Sequence, residues 1–218
     1  KKGGDYDNEQ LGKIYGERKI YDGVIENYNR ICPGTKALLF APDIESSKKI
    51  CSELNLAGLP ALHLDGEMGK VEREAILKKF HDYPNIILCN CGGLTTGFDE
   101  PGILTIILYR ATTSLSLFLQ MVGRGSRVIK GVKSRFTILD FGNNIKAHGF
   151  WEQPRTCSLK KKEKKKGVAP IKTCPECNGM IPAQQMICGL ELPPFDPSLP
   201  LFCTHVWQLT EKEEKEKV

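Results

Sequence analysis

Short apolar runs alternate with stretches of helical period over the first two thirds of the chain, and that alternation leaves few folds open. Residues 37–41, Ala-Leu-Leu-Phe-Ala, are apolar throughout, the habit of a strand buried on both faces. Further strands are expected at 60–64, at 85–89 with Ile86-Ile87-Leu88 as its centre, at 104–109 and at 135–141. Residues 17–31 carry Ile20, Val24, Ile25, Tyr28 and Ile31 at helical spacing and stop at Cys32-Pro33-Gly34. A second helix, capped by Asp43 or Ser46, carries Ile44, Ile50, Cys51 and Leu54. Others are expected over 70–80 and 114–122, the latter capped by Ser114. Such alternation predicts an α/β fold, an open, mostly parallel sheet with helices on both faces. Ligands of these sheets gather beyond the carboxyl ends of the strands. The segments 63–66 and 91–101, and the helix carrying residues 120–127, are read as lying there.

After Trp151 the periodicity stops. The formal net charge is +5, and residues 160–178 alone hold seven Lys against two Glu. Such a run packs no core and reads as a solvated linker; contact with phosphates, which needs no particular sequence, is an equal reading. The chain therefore divides into a flexible segment 1–10, a lobe 11–155, a basic linker 156–172, a small Cys-rich segment 173–210 and a polar tail 211–218. The first residue is not Met, as expected of a fragment or a processed product. No window is long and apolar enough to span a membrane and no secretory signal is visible. A cytoplasmic location without a membrane partner is expected, with the nine cysteines as thiols or metal ligands rather than disulfides.

Two segments carry chemistry. In Gln120-Met121-Val122-Gly123-Arg124-Gly125-Ser126-Arg127, two arginines three apart share one helical face, and Gly123 and Gly125 thin that face so that a ligand can approach. Arginine offers a planar, always charged fork to phosphate oxygens, and such a pair can stabilise a transferring γ-phosphoryl group. A solvated basic helix end is the plainer alternative, although two glycines in a helix cost about 1 kcal/mol each against Ala. In Gly92-Gly93-Leu94-Thr95-Thr96-Gly97-Phe98-Asp99-Glu100-Pro101, backbone N–H and hydroxyl groups can meet phosphate, and Asp99 can accept from a ribose hydroxyl. An ordinary turn between strand and helix remains open.

Together the two segments resemble a family. Gln120-x-x-Gly123-Arg124-x-x-Arg127 is similar to motif VI of superfamily-2 helicases, and Thr95-x-Gly97-x-Asp99-x-Pro101 resembles motif V. The 37–41 run resembles motif IV, and Leu62-His63-Leu64-Asp65-Gly66 the short motif after it. Order and spacing match over residues 11–155, which resemble the second, C-terminal RecA-like lobe of DEAD/DEAH-type DNA helicases of bacteria and phages. The resemblance implies a bacterial cell or one infected by phage. It implies Arg127 as arginine finger, Arg124 near the γ-phosphate with Gln120 in support, and Gly97, Asp99 and Gly123 around the nucleotide. Thr95, Thr96, His63, Asp65 and Gly66 would meet the nucleic-acid backbone.

The chain holds neither a Gly-x-x-x-x-Gly-Lys-[Ser/Thr] loop nor an Asp-Glu-x-[Asp/His] box. ATP and Mg2+ are then expected mainly on an N-terminal RecA-like lobe upstream of Lys1, and this chain alone is expected not to hydrolyse ATP. A translocase lobe that moves on duplex without separating it, and a nucleic-acid-binding module without catalysis, are the alternatives. Finally, Cys174-Pro175-Glu176-Cys177 with Cys188 suggests a zinc ribbon. The usual second knuckle is interrupted by Glu191, so Cys203 is read as the fourth Zn2+ ligand, with His205 as its alternative. A metal-free remnant also remains open.

Overall fold

The computed structural model describes residue 5 and residues 18–92, 98–131, 133–155, 170–191 and 202–207, with the backbone alone for 18–22. Two compact units divide the chain, residues 1–152 and 153–218. The large unit runs α1 (Arg18–Ile31), β1 (Ala37–Phe40), α2 (Ile44–Leu56), β2 (Ala61–Leu64), α3 (Lys70–Asp82), β3 (Ile87–Asn90), β4 (Thr105–Leu108), α4 (Leu115–Gly123), β5 (Thr137–Asp140) and α5 (Asn144–His148). Its five strands lie in the order β2-β3-β1-β4-β5, every neighbour parallel. The chain crosses from one half of the sheet to the other between β3 and β4. No described helix is long and apolar enough to cross a membrane.

The strands of the sheet's centre, β1, β3 and β4, are buried at every position, as a parallel sheet covered on both faces requires. Alternate residues separate the faces. Ala37, Leu39, Ile87, Cys89 and Ile107 join Val24 and Tyr28 of α1 and Ile50, Cys51 and Leu54 of α2 in one cluster. Leu38, Leu88, Ile106 and Leu108 point the other way, towards Phe80 of α3 and Phe118, Met121 and Val122 of α4, all buried. Leu38 and Leu39 each contribute about 1.5–3 kcal/mol by leaving water. Asp43 caps α2 by accepting from Ser46 N at 2.7 Å. Ser114 caps α4 by accepting from Leu117 N at 3.3 Å.

α4 corrects the reading of residues 120–127 as one helix. It stops at Gly123; Arg124 is only its C-cap, and Arg127 lies beyond it. Nine helical residues rise about 13.5 Å, and a four-residue strand spans about 13 Å. A helix entered from the carboxyl end of β4 is therefore spent on reaching the opposite, amino edge of the sheet. There Gly125 lies against Ile106 of β4 and Phe136 just before β5: an added Cβ would sit 2.8 Å from Ile106 Cγ1 and 2.5 Å from Phe136 Cδ2. Gly125 thus serves close internal packing, not the approach of a ligand.

In the small unit β6 (Ile171–Thr173) pairs antiparallel with β7 (Met180–Pro182). β6 begins inside the stretch read as linker. Cys174, Ile181, Cys188 and Cys203 form its core. Residues 1–4, 6–10, 156–169 and 208–218 lie outside the described residues.

Candidate functional site

The arginine turn is built on one carbonyl. Arg124 Nη1 donates to Phe98 O at 2.5 Å and Arg127 Nη1 to the same oxygen at 3.3 Å. Arg127 also pairs with the Asp99 carboxylate, a contact in which both side chains stay partly exposed, 36% and 71%. The two segments singled out in the sequence therefore meet, Asp99 pairing with Arg127. Burial and then the charge of Arg127 lower the pKa of Arg124, with Asp99 acting in the opposite sense; an arginine stays cationic at neutral pH all the same. Gln120 turns aside, its Nε2 3.5 Å from Ser116 Oγ one turn earlier. Gly123 has open space around it. Thr95, Thr96 and Gly97 lie outside the described residues.

Charged residues that no motif had marked brace this turn. Glu100 is buried; its carboxylate accepts from Gly102 N at 3.1 Å, lies 3.5 Å from Lys36 Nζ and 2.8 Å from His81 Nδ1. Lys36 Nζ in turn donates to His81 O at 2.9 Å. These contacts fix residues 98–102 to the start of β1 and the end of α3. Lys133, also buried, donates to Gly125 O and Pro101 O. Isolated Lys and Glu residues read as surface in a sequence, so neither was visible there.

At the carboxyl edge the 63–66 loop is braced from within. The Asp65 carboxylate is buried and bonds His63 Nε2 at 2.8 Å, Glu67 N at 2.9 Å and Met68 N at 3.1 Å. His63 Nδ1 bonds Ser47 Oγ at 2.8 Å. Ser47 is fully buried, so this Ser-His-Asp chain braces the loop and presents no nucleophile. An acidic side chain committed in this way has nothing to offer a phosphate; Gly66 remains exposed, with open space around it. After β4, Thr112 Oγ1 and Thr113 N donate to the Asp5 carboxylate, both at 2.6 Å.

In the small unit the thiols of Cys174, Cys177, Cys188 and Cys203 lie within 4.8 Å of one another. Cys174 and Cys203 are 3.7 Å apart and Cys177 and Cys188 3.5 Å. Disulfide sulfurs would stand about 2.05 Å apart. Four sulfurs around a tetrahedral ion at about 2.3 Å stand about 3.8 Å apart, so the donor set fits zinc. Burial pushes Cys174 up, but the backbone N–H groups of Cys177 and Glu176 and the thiols of Cys203 and Cys177 bring it down to about 7. Burial and the neighbouring sulfurs push Cys177 up to about 12. His205 stands outside the cluster: its Nδ1 is 3.2 Å from Glu176 Oε1 and its ring meets Trp207 edge-on.

Residues 22–128 match the helicase conserved C-terminal domain family. A 51.5 kDa protein of a Lactococcus phage is 32% identical over 220 residues, covering 98% of this chain and 45% of that protein. The putative mitochondrial ATP-dependent helicase irc3 of Schizosaccharomyces pombe is 33% identical over 70% of this chain and 25% of its own length. The putative ATP-dependent helicase IRC3 of Saccharomyces cerevisiae is 35% identical over 63% of this chain and 20% of its own length. The chain thus spans less than half the length of each of these relatives. Among solved structures, the C-terminal domain of the DEAD-box protein Dbp5 has the same fold, with a TM-score of 0.50 at 17% identity over 60% of this chain and 75% of that one.

The loop brace has a pH signature. Burial alone would raise the pKa of Asp65, but the bond and charge of His63 and the N–H groups of Glu67 and Met68 hold it below the usual carboxylate value. A depressed folded pKa contributes stability above the unfolded value, near 3.9, and loses it as pH falls through the folded value. Asp65→Asn is expected to cost about 1.5–3 kcal/mol at pH 7, the range for bonds to a charged group. Urea unfolding at a series of pH values checks this: the gap to wild type closes below about pH 4.

Proposed function

This chain belongs to the superfamily-2 helicases through its helicase conserved C-terminal domain, a second RecA-like lobe, and from that premise we propose that it is the motor lobe of an ATP-dependent DNA helicase or translocase. It supplies the arginine finger and part of the DNA track, while a first lobe supplies the phosphate-binding loop and the Mg2+-binding acid. The observation that carries this reading is the double grip of Arg124 and Arg127 on the Phe98 carbonyl, with Arg127 half free beside Asp99. An ion pair so exposed is worth about 0–1 kcal/mol. The γ-phosphate of ATP, with more charge and a bidentate geometry, can take Arg127 from Asp99 when the lobes close. Arg124, held more deeply, keeps the turn in register.

The stretch between β3 and β4 couples the two edges. It leaves the carboxyl edge at Asn90 and reaches the amino edge at Leu104, whose N–H donates to Lys36 O at 2.9 Å. Thr95, Thr96 and the 63–66 loop are assigned to the DNA backbone in this reading, the loop through Gly66 and main chain rather than the Asp65 carboxylate. Movement of the strand and movement of the finger then share one piece of chain. Zn2+ held by Cys174, Cys177, Cys188 and Cys203 would supply the cross-link that this short unit's small core does not.

Two measurements test the assignment. ATP hydrolysis by the full-length protein is expected to rise at least tenfold with DNA, more than with RNA, and to drive strand displacement, while this chain alone stays at background; equal turnover by the isolated chain contradicts the reading, and preferential stimulation by RNA overturns the choice of DNA. Elemental analysis is expected to give one zinc per chain, lost in Cys203→Ser and kept in His205→Ala. Retention of zinc by Cys203→Ser would remove Cys203 from the ligand set.

A further inference from the structure

We propose that Lys133 is a positioning residue for the arginine pair, a buried ammonium that ties the segment carrying Phe98 and Asp99 to the turn carrying Arg124 and Arg127. The inference rests on the motor-lobe reading above and adds to it a residue outside the 22–128 match and outside both helicase motifs.

Its geometry is specific. Lys133 is 4% exposed. Its Nζ donates to Gly125 O at 2.7 Å and to Pro101 O at 3.1 Å, and it lies 5.9 Å from the centroid of the Phe136 ring. Gly125 stands between the two arginines and Pro101 two residues after Asp99. Lys133 is held in turn by a tight reversal: Ile129 and Lys133 exchange N–H···O bonds of 3.0 and 2.8 Å around Gly131, which takes a φ of 77°. Three cations therefore cross-tie the two segments, Arg124 and Arg127 at the Phe98 carbonyl and Lys133 at the carbonyls of Gly125 and Pro101.

Two physical points favour a positioning role over a generic packing role. The Gly125 carbonyl lies just past the end of α4, where carbonyls lose their helical partners; a lysine that captures one there sets the direction in which the chain leaves the helix. That direction decides where Arg127 begins. Second, a buried ammonium without a paired carboxylate is costly, and among the described residues no carboxylate lies within ion-pair distance of Lys133. Burial and the charge of Arg127 lower its pKa, with Glu100 opposing. An apolar residue would fill the same space beside Phe136 at lower cost but could not hold the two carbonyls.

The test is a double-mutant cycle on DNA-stimulated ATP hydrolysis by the full-length protein, with Lys133→Met as the variant of similar length and no donor. Lys133→Met is expected to lower kcat between about tenfold and a hundredfold, the scale of a displacement near 1 Å at a reacting group, with KM for ATP changed less than about twofold. In an Arg127→Ala background the same substitution is expected to cost less than about twofold, because the group it positions is gone. Lys133→Gln, which keeps an N–H donor, is expected to fall between, and it replaces Lys133→Met in the cycle if the latter does not fold. An unchanged kcat for Lys133→Met, or equal losses in both backgrounds, overturns the proposal and leaves the motor-lobe reading standing. If Arg127→Ala by itself leaves kcat unchanged, the motor-lobe reading fails and this proposal with it.

Discussion

A single main-chain oxygen, that of Phe98, accepts from two guanidinium groups, and the rest of the large unit is arranged so that this can happen. Residues 98–102 must lie at the amino edge of the sheet, and the buried Glu100 and Lys36, with the exposed His81, hold them there. α4 must end at the same edge, which its length of nine residues ensures. Gly125 must lie flat on Ile106 and Phe136, which only a residue without a side chain can do there. Two guanidinium groups are thereby held side by side, with Arg127 partly exposed beside Asp99; on the proposed reading they are the positive charge that a transient phosphoryl group would meet.

Much of this fold was legible in the sequence because parallel-sheet strands and amphipathic helices announce themselves by period. Every expected strand is present at four residues, the third shifted to end at Asn90, and Asp43, one of the two caps expected for α2, and Ser114 are in place. Strand order was not legible, since pairing between β1, β3 and β4 is set by packing far along the chain. The error over residues 120–127 has a local cause: helical spacing of Arg124 and Arg127 persists on paper past Gly123, whereas the helix ends there and Gly125 packs against Ile106 and Phe136. The bracing of Asp65 by His63, Lys48 and the N–H groups of Glu67 and Met68 carries no sequence signal, because a carboxylate in a loop looks available until its partners are placed around it. Glu100 and Lys133 carried no signal at all, because a charged residue declares its burial only through its neighbours.

The small unit depends on different physics. Its buried core among the described residues is Ile181 and three cysteines, too little apolar area to hold a fold by burial alone. Its loops are nevertheless well specified, with Asn178 in the left-handed region and Cys174 N donating to Gly179 O at 2.8 Å. The Cys-x-x-Cys spacing pointed to a ribbon. Cys203 is already the preferred fourth ligand by spacing; the pairing of Cys188 and Gly189 with residues 203–205 brings its thiol to the other three and leaves His205 beside Glu176.

The central claim is that Arg127 acts on the transferring phosphoryl group rather than merely bracing the lobe. Single-turnover hydrolysis of ATP by the DNA-bound full-length protein tests it most directly, because it separates the chemical step from binding and product release. For Arg127→Ala the account predicts a chemical step slower by about a thousandfold, within the range of arginine fingers, with ATP affinity changed only severalfold and the thermal unfolding midpoint unchanged. A chemical step at the wild-type rate, or a loss confined to ATP affinity, would contradict it.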